Sequence, residues 1–221
     1  MILPRLVRLN SALALLPLLL SGCGGLIGGQ PPLEFYTLSA TSGMNGQPVV
    51  GGARPASSGP IFAVAAVRVP QYLSQRSIVV RSSPTQLDLA DNDVWAAPLS
   101  DTISSVLSEN ISTMIPSDRV VELPVSAAVP VDYELRVEIV RFERQPDGGV
   151  DLVARWSVFS EGGERLVAVE RSSYRVPDVS PDFRSITLAM SALLGELSRD
   201  IADTLRNVSN VYQPSTDQPR S

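Results

Sequence analysis

Residues 133–143 read Tyr-Glu-Leu-Arg-Val-Glu-Ile-Val-Arg-Phe-Glu and decide the fold of the chain. Apolar side chains alternate with charged ones through Ile139, and Phe142 rejoins the apolar set after a shift of one residue. This period of two predicts a strand with one buried face and one wet face. Two more strands are predicted at 150–159 and 165–176. The turns between them are rich in glycine and acidic residues and suit hairpins, so we expect an antiparallel meander.

Two helices are predicted on either side of this meander, at 99–115 and 182–207. Each carries one apolar stripe at helical spacing: Leu99, Ile103, Val106, Leu107, Ile111 and Met114 in the first, and Phe183, Ile186, Met190, Leu193, Leu194, Leu197, Ile201 and Leu205 in the second. Shorter strands are expected at 33–38, 61–69, 77–81, 86–90 and 119–123. The order predicts an α/β (α+β) fold in which a single mixed sheet packs both helices on one face.

The N-terminus carries an export signal. Arg5 and Arg8 precede an apolar run at 13–20, which ends in Leu20-Ser21-Gly22-Cys23. The run is too short to span a bilayer. It resembles the lipobox of bacterial lipoproteins, so we expect a signal peptide over 1–22 and cleavage between Gly22 and Cys23.

The lipobox resemblance implies that Cys23 receives a diacylglycerol on its thiol and a further acyl chain, such as palmitate, on its amine. One chain anchors a protein only marginally, whereas two or three hold it at the membrane. Gly24, where a retained lipoprotein often has Asp, favours the outer membrane. We expect a flexible tether over 23–32, one domain over 33–208 with a flexible insertion at 39–59, and a polar tail over 209–221.

Composition narrows the function. All 18 basic residues are arginine, the formal net charge is −5, and there is no histidine. Such an acidic chain is a poor candidate for nucleic acid. Without histidine, and with its only cysteine acylated, the chain lacks the usual ligands of zinc, haem and iron–sulfur sites and the groups of Ser-His-Asp and Cys-His catalysis. We therefore expect no metal, no cofactor beyond the acyl chains on Cys23, and no enzyme activity.

Carboxylate chemistry is the remaining catalytic alternative. Asp88, Asp91 and Asp93 cluster before the first predicted helix, where paired acids could hydrolyse glycosides or bind Ca²⁺. Capping and the helix dipole account for acids at this place equally well. We favour the second interpretation.

Several short motifs resemble those of the ABC-type transport auxiliary lipoprotein family. Besides the lipobox, they are Phe-Tyr-Thr-Leu at 35–38, Val-Pro-Gln-Tyr-Leu at 69–73 and Trp-Ala-Ala-Pro-Leu at 95–99. The resemblance implies a non-catalytic accessory subunit of an envelope transport system, which supports membrane integrity. It further implies periplasmic partners that carry mammalian-cell-entry (MCE) domains, lipid cargo, docking of a transport tunnel at the periplasmic face of the outer membrane of a Gram-negative bacterium, and assembly into a homo-oligomeric ring.

The motifs supply candidate partner-binding residues, namely Pro70, Tyr72, Leu73, Arg76, Arg81, Trp95, Pro98 and Leu99. Trp95 is also explained by packing of the helix start, and the two arginines by surface pairing with Asp88 or Asp91. Tyr72 and Leu73 are the stronger candidates, because they follow a proline at a turn. A stand-alone structural or stress lipoprotein of the envelope is the alternative function.

Overall fold

The computed structural model describes residues 31–41, 59–115, 119–124 and 130–211. Cys23 and the signal region lie outside these ranges. The chain order is β1 (Glu34–Tyr36), β2 (Phe62–Val64), a 3-10 turn (Gln71–Leu73), β3 (Ser77–Ser83), β4 (Gln86–Trp95), α1 (Leu99–Met114), β5 (Val120–Glu122), β6 (Tyr133–Arg144), β7 (Val150–Ser160), β8 (Arg165–Val176) and α2 (Phe183–Val211).

The antiparallel meander is confirmed. β6 pairs with β7, and β7 pairs with β8, along almost their whole lengths. The register of β6 shifts between Ile139 and Arg141, which is the irregularity that brings Phe142 back to the core. Tyr133, Leu135 and Val137 point to the same buried face.

β6 organises the rest of the eight-stranded mixed sheet. β2 pairs with its beginning and β3 with its end, both in parallel and both on the edge opposite β7. A single bridge between Arg68 and Glu138 lies between these two contacts. β5 extends the sheet beyond β2, and β4 followed by β1 extends it beyond β3. The 3-10 turn therefore lies in a segment whose two ends are both attached to β6.

The two helices pack against each other and against the sheet, as predicted. α1 contacts β2 and β5, while α2 contacts β6, β7 and β8. Their apolar stripes merge with the sheet in one core, in which Leu107, Ile111, Leu194 and Leu197 have essentially no exposed surface. No helix in the described ranges has both the length and the hydropathy to cross a bilayer.

The segment after β1 is more ordered than the expected insertion at 39–59. Ala40 is buried, the backbone N–H of Ser39 donates to Ser191 Oγ at 3.1 Å, and that of Thr41 donates to Asn110 Oδ1 at 2.8 Å. Asn110 also donates to Ser198 Oγ at 3.1 Å, so this polar seam joins both helices. Residues 39–41 thus belong to the folded domain, and 42–58 lie outside the described residues.

Several boundaries differ from the sequence expectation. The strand expected at 61–69 is shorter, since β2 covers only Phe62–Val64 and Arg68 makes a single isolated bridge. β4 continues through Asp91, Asn92 and Asp93 to Trp95, although these residues have low strand propensity, because β1 pairs with this part of β4. The acids are therefore strand residues and not helix caps. α2 extends to Val211, beyond the predicted end at 207, and includes the start of the expected tail at 209.

Candidate functional site

Two of the three motif segments, 35–38 and 95–99, meet at one end of the sheet, beside the residues that follow the third. β1 lies parallel to the end of β4, with Tyr36 opposite Trp95. The Ala96 N–H donates to the Tyr36 carbonyl at 2.8 Å, and the Trp95 N–H donates to the Arg76 carbonyl at 2.8 Å. Backbone hydrogen bonds therefore fix the residues after the 3-10 turn, the beginning of the helix motif and the first strand beside one another.

A groove opens where these segments meet. Its volume is about 300 Å³, and its walls are Ser74, Gln75, Arg76, Trp95, Ala96, Ala97 and Pro98. Pro98 is exposed and begins the approach to α1. The walls combine small side chains with one aromatic ring and one arginine, so the groove can receive an apolar side chain that carries a polar or acidic neighbour.

An exposed aromatic residue stands beside this groove. Phe35 is 60% exposed, and the Arg76 guanidinium lies 5.7 Å from the centre of its ring. This distance is within the range of a cation–π contact. Aromatic residues and arginine are enriched among the residues that contribute most to binding at protein interfaces, and Phe35 and Arg76 are such a pair at the surface. Sequence reasoning missed Phe35, because the strand pattern alone does not tell which side of β1 is covered.

Three of the predicted contact residues belong to the core instead. Leu73, Trp95 and Leu99 are 2%, 5% and 3% exposed. The 3-10 turn directs Leu73 inward, and Trp95 and Leu99 fill the space where β4 passes into α1. Their burial leaves Pro70, Tyr72, Arg76, Arg81 and Pro98 as the predicted residues with surface available to a partner.

A buried carboxylate supports the 3-10 turn. Glu143 has no exposed surface, and both of its oxygens are satisfied. Arg81 Nε donates to Oε1 at 2.9 Å, the Tyr72 hydroxyl donates to Oε2 at 2.9 Å, and the Phe142 N–H donates to Oε2 at 3.0 Å. Gln145 Nε2 adds a contact to Oε1 at 3.3 Å. The predicted pairing of Arg81 with Asp88 or Asp91 is therefore wrong, since Arg81 neutralises Glu143.

The same cluster fixes the protonation of Tyr72. Burial, together with the neighbouring Glu143 carboxylate, raises the pKa of Tyr72 to about 12. The hydroxyl is thus a proton donor throughout the neutral range. Tyr72 is a residue that ties the turn to β6, and only part of its side chain faces solvent.

The acidic cluster of Asp88, Asp91 and Asp93 lies along β4. Within the described ranges, no group of three or more acidic, cysteine or histidine side chains converges as metal ligands would. Asp88 accepts a hydrogen bond from Gln86 on the same strand at 3.3 Å. Cys23 and Gly22, the predicted acylation and cleavage residues, lie outside the described residues.

Comparisons with known proteins agree on one family. The model of the ABC-type transport auxiliary lipoprotein component matches residues 36–202. The chain is 30% identical over 96 residues to the intermembrane transport lipoprotein PqiC of Escherichia coli K12 and to PqiC of Shigella flexneri. These alignments cover 43% of this chain and 50% of each relative, so the chain spans about half the length of the curated relatives that it matches.

Solved structures share the fold. A crystal structure of an uncharacterised protein has a TM-score of 0.63 at 20% identity, and covers 79% of this chain and 99% of its own. A Xanthomonas campestris protein has a TM-score of 0.60 at 17% identity, with 80% and 99% covered. Both likenesses concern the arrangement of the sheet and helices alone.

Proposed function

Because the chain belongs to the ABC-type transport auxiliary lipoprotein component family, we propose that it is a non-catalytic, lipid-anchored accessory subunit of an envelope transport system. In this proposal Cys23 carries the acyl chains. The domain faces the periplasm at the outer membrane, and it docks the tunnel formed by a partner with MCE domains. Its role is to support lipid transport and membrane integrity. The relatives' name, intermembrane transport lipoprotein, supports this direction.

The observation that carries the docking role is the groove between the motif at 95–98 and residues 74–76, which directly follow the motif at 69–73. Backbone hydrogen bonds hold Trp95 and Ala96 against the segments on either side, so this part of the groove wall is already positioned before a partner binds. Preorganisation of this kind reduces the entropy that binding must overcome. The exposed Phe35 ring beside Arg76 supplies an aromatic anchor, which is the type of residue that dominates interface energies.

A homo-oligomeric ring is part of the proposal. β8 has twelve residues and pairs only with β7 within the described residues, so one of its edges offers unpaired backbone groups. Edge strands of this length are templates for pairing with another chain. Sedimentation of the detergent-solubilised full chain tests this part. A monomer at all concentrations would remove the ring and leave the docking role standing.

Site-specific photo-crosslinking in the intact envelope tests the docking role. A photoreactive residue at Pro98, on the groove, should capture an MCE-domain subunit identified by mass spectrometry. The same residue at Glu196, which is exposed on α2, serves as the control and should not capture it. Equal capture from both positions, or none from Pro98, would favour the alternative of a stand-alone envelope lipoprotein.

A further inference from the structure

The sheet face opposite the helices carries a row of charged side chains in which arginines outnumber carboxylates. The register places Arg68, Glu138, Arg155 and Arg171 side by side on neighbouring strands. All four side chains are exposed. Adjacent strands are about 4.8 Å apart, so the row is short enough for neighbouring side chains to share one ligand. It holds three positive charges and one negative charge.

Arg155 and Arg171 are the unusual pair. They lie directly opposite each other on β7 and β8, and like charges in that position destabilise a sheet. Other arginines on this face have carboxylate partners: Arg136 contacts Glu134 at 2.5 Å, and Arg175 contacts Asp151 at 2.6 Å. Within the described residues, no carboxylate lies within 4 Å of the guanidinium groups of Arg68, Arg155 or Arg171.

On β7 and β8 the residues next to Arg155 and Arg171 are uncharged, whereas β6 places Arg136 and Arg141 in the two neighbouring rows. Ser157 and Val169 are paired on one side of Arg155 and Arg171, and Val153 and Ser173 are paired on the other. Val169 is 65% exposed. The groove beside the row has a volume of about 550 Å³. Its wall combines the small or apolar residues Ala65, Ala66 and Phe159 with charged ones, namely Arg68, Glu134, Arg136, Glu138 and Arg155. This volume is in the range of sites for small molecules.

We propose that Arg155 and Arg171 bind the phosphate of an anionic phospholipid headgroup. Guanidinium groups bind phosphate oxygens through paired N–H donors, and a phosphate between Arg155 and Arg171 would relieve their repulsion. The apolar residues beside the row suit the first part of an acyl chain. This inference is independent of the proposed docking groove.

Phosphorus NMR on the full chain in maltoside micelles tests the proposal. Phosphatidylglycerol added to the micelles should show a shifted and broadened ³¹P signal in the presence of the protein, whereas phosphatidylcholine should not. The double variant Arg155→Gln, Arg171→Gln should weaken this effect at least about tenfold, because it removes the paired donors. The matched control Arg184→Gln, Arg206→Gln removes the same charge from α2 and should retain binding.

Stability of the variants separates binding from folding. The double variant should unfold at the same temperature as the parent or at a higher one, since it removes a like-charge pair. A lower unfolding temperature would assign the two arginines a structural role and overturn the proposal. Three further outcomes would overturn it: equal binding of both lipids, equal loss in the control variant, or displacement of phosphatidylglycerol by inorganic phosphate or a tetraglutamate peptide at the same concentration.

Discussion

The Tyr72 hydroxyl donates a hydrogen bond of 2.9 Å to Glu143, a carboxylate with no exposed surface on the central strand of the sheet. This bond connects the 3-10 turn, which the family motif marks, to a residue 71 positions further along the chain. The turn is therefore held by a hydrogen bond to a buried carboxylate as well as by its own backbone hydrogen bonds. Its shape depends on whether Glu143 keeps all of its partners.

Removing the cation from this cluster should destabilise the fold strongly. Arg81→Met leaves the buried Glu143 carboxylate with only the more distant Arg141, at 3.9 Å, as an ion-pair partner. We expect a loss of about 3 kcal/mol in the free energy of unfolding. Tyr72→Phe removes one neutral donor and should cost about 1 kcal/mol. Urea unfolding measures both. Arg206→Met, at an exposed pair with Asp203, is the control and should change little. An Arg81→Met loss no larger than this control would contradict the structure.

Alkaline pH should weaken the same contact. The pKa of Tyr72 is raised in the folded state from 10.0 to about 12, so its stabilising contribution is complete below pH 10 and is lost as the pH rises through 12. We expect the stability advantage of the parent over Tyr72→Phe to shrink between pH 9 and pH 12. Comparing unfolding of the two proteins at each pH cancels the titration of other groups. A constant difference across that range would mean that the hydroxyl does not face a carboxylate.

Binding and folding should separate at Phe35 and Leu73. Phe35→Ala removes an exposed ring and should change the free energy of unfolding by about 0.5 kcal/mol or less, while weakening co-purification with the transporter partner. Leu73→Ala opens a cavity in the core and should cost about 3 kcal/mol, with unchanged capture per folded molecule. Unfolding and co-purification measured on both variants provide the comparison. If Phe35→Ala lost stability and Leu73→Ala lost binding instead, Leu73 and not Phe35 would be the interface residue.

The anchor assignment can be tested without reference to the fold. Cys23→Ala should abolish fatty-acid labelling and release the protein from the membrane fraction or leave it uncleaved, since the acylated thiol is gone. Metabolic labelling followed by fractionation measures both effects. Normal labelling of the variant would refute the assignment of Cys23.

Elements could be predicted from the sequence where the periodic pattern of apolar residues continued over many residues. The three strands of the meander have eleven or twelve residues each, and α2 has twenty-nine. The limits of the three strands were predicted within one residue. β4 was predicted too short, because its acidic second half is stabilised by β1 and not by its own propensity. The burial of Glu143 was not predicted. The alternation of β6 places this residue on the solvent-facing side, but Tyr72 of the 3-10 turn and Arg81 of β3, both distant in sequence, contact its carboxylate.

The attachment of β2 and β3 to one edge of β6 has a mechanical consequence. The chain before the 3-10 turn is bonded to β6 through the Ala65 N–H to the Leu135 carbonyl, the Arg68 N–H to the Val137 carbonyl, and the Ile139 N–H to the Arg68 carbonyl. These strands run parallel, so a pull on the turn along the sheet loads the bonds together, in shear. A subunit tethered to a membrane and held by a partner at this turn would resist tension as one body, with the force entering at the middle of the sheet.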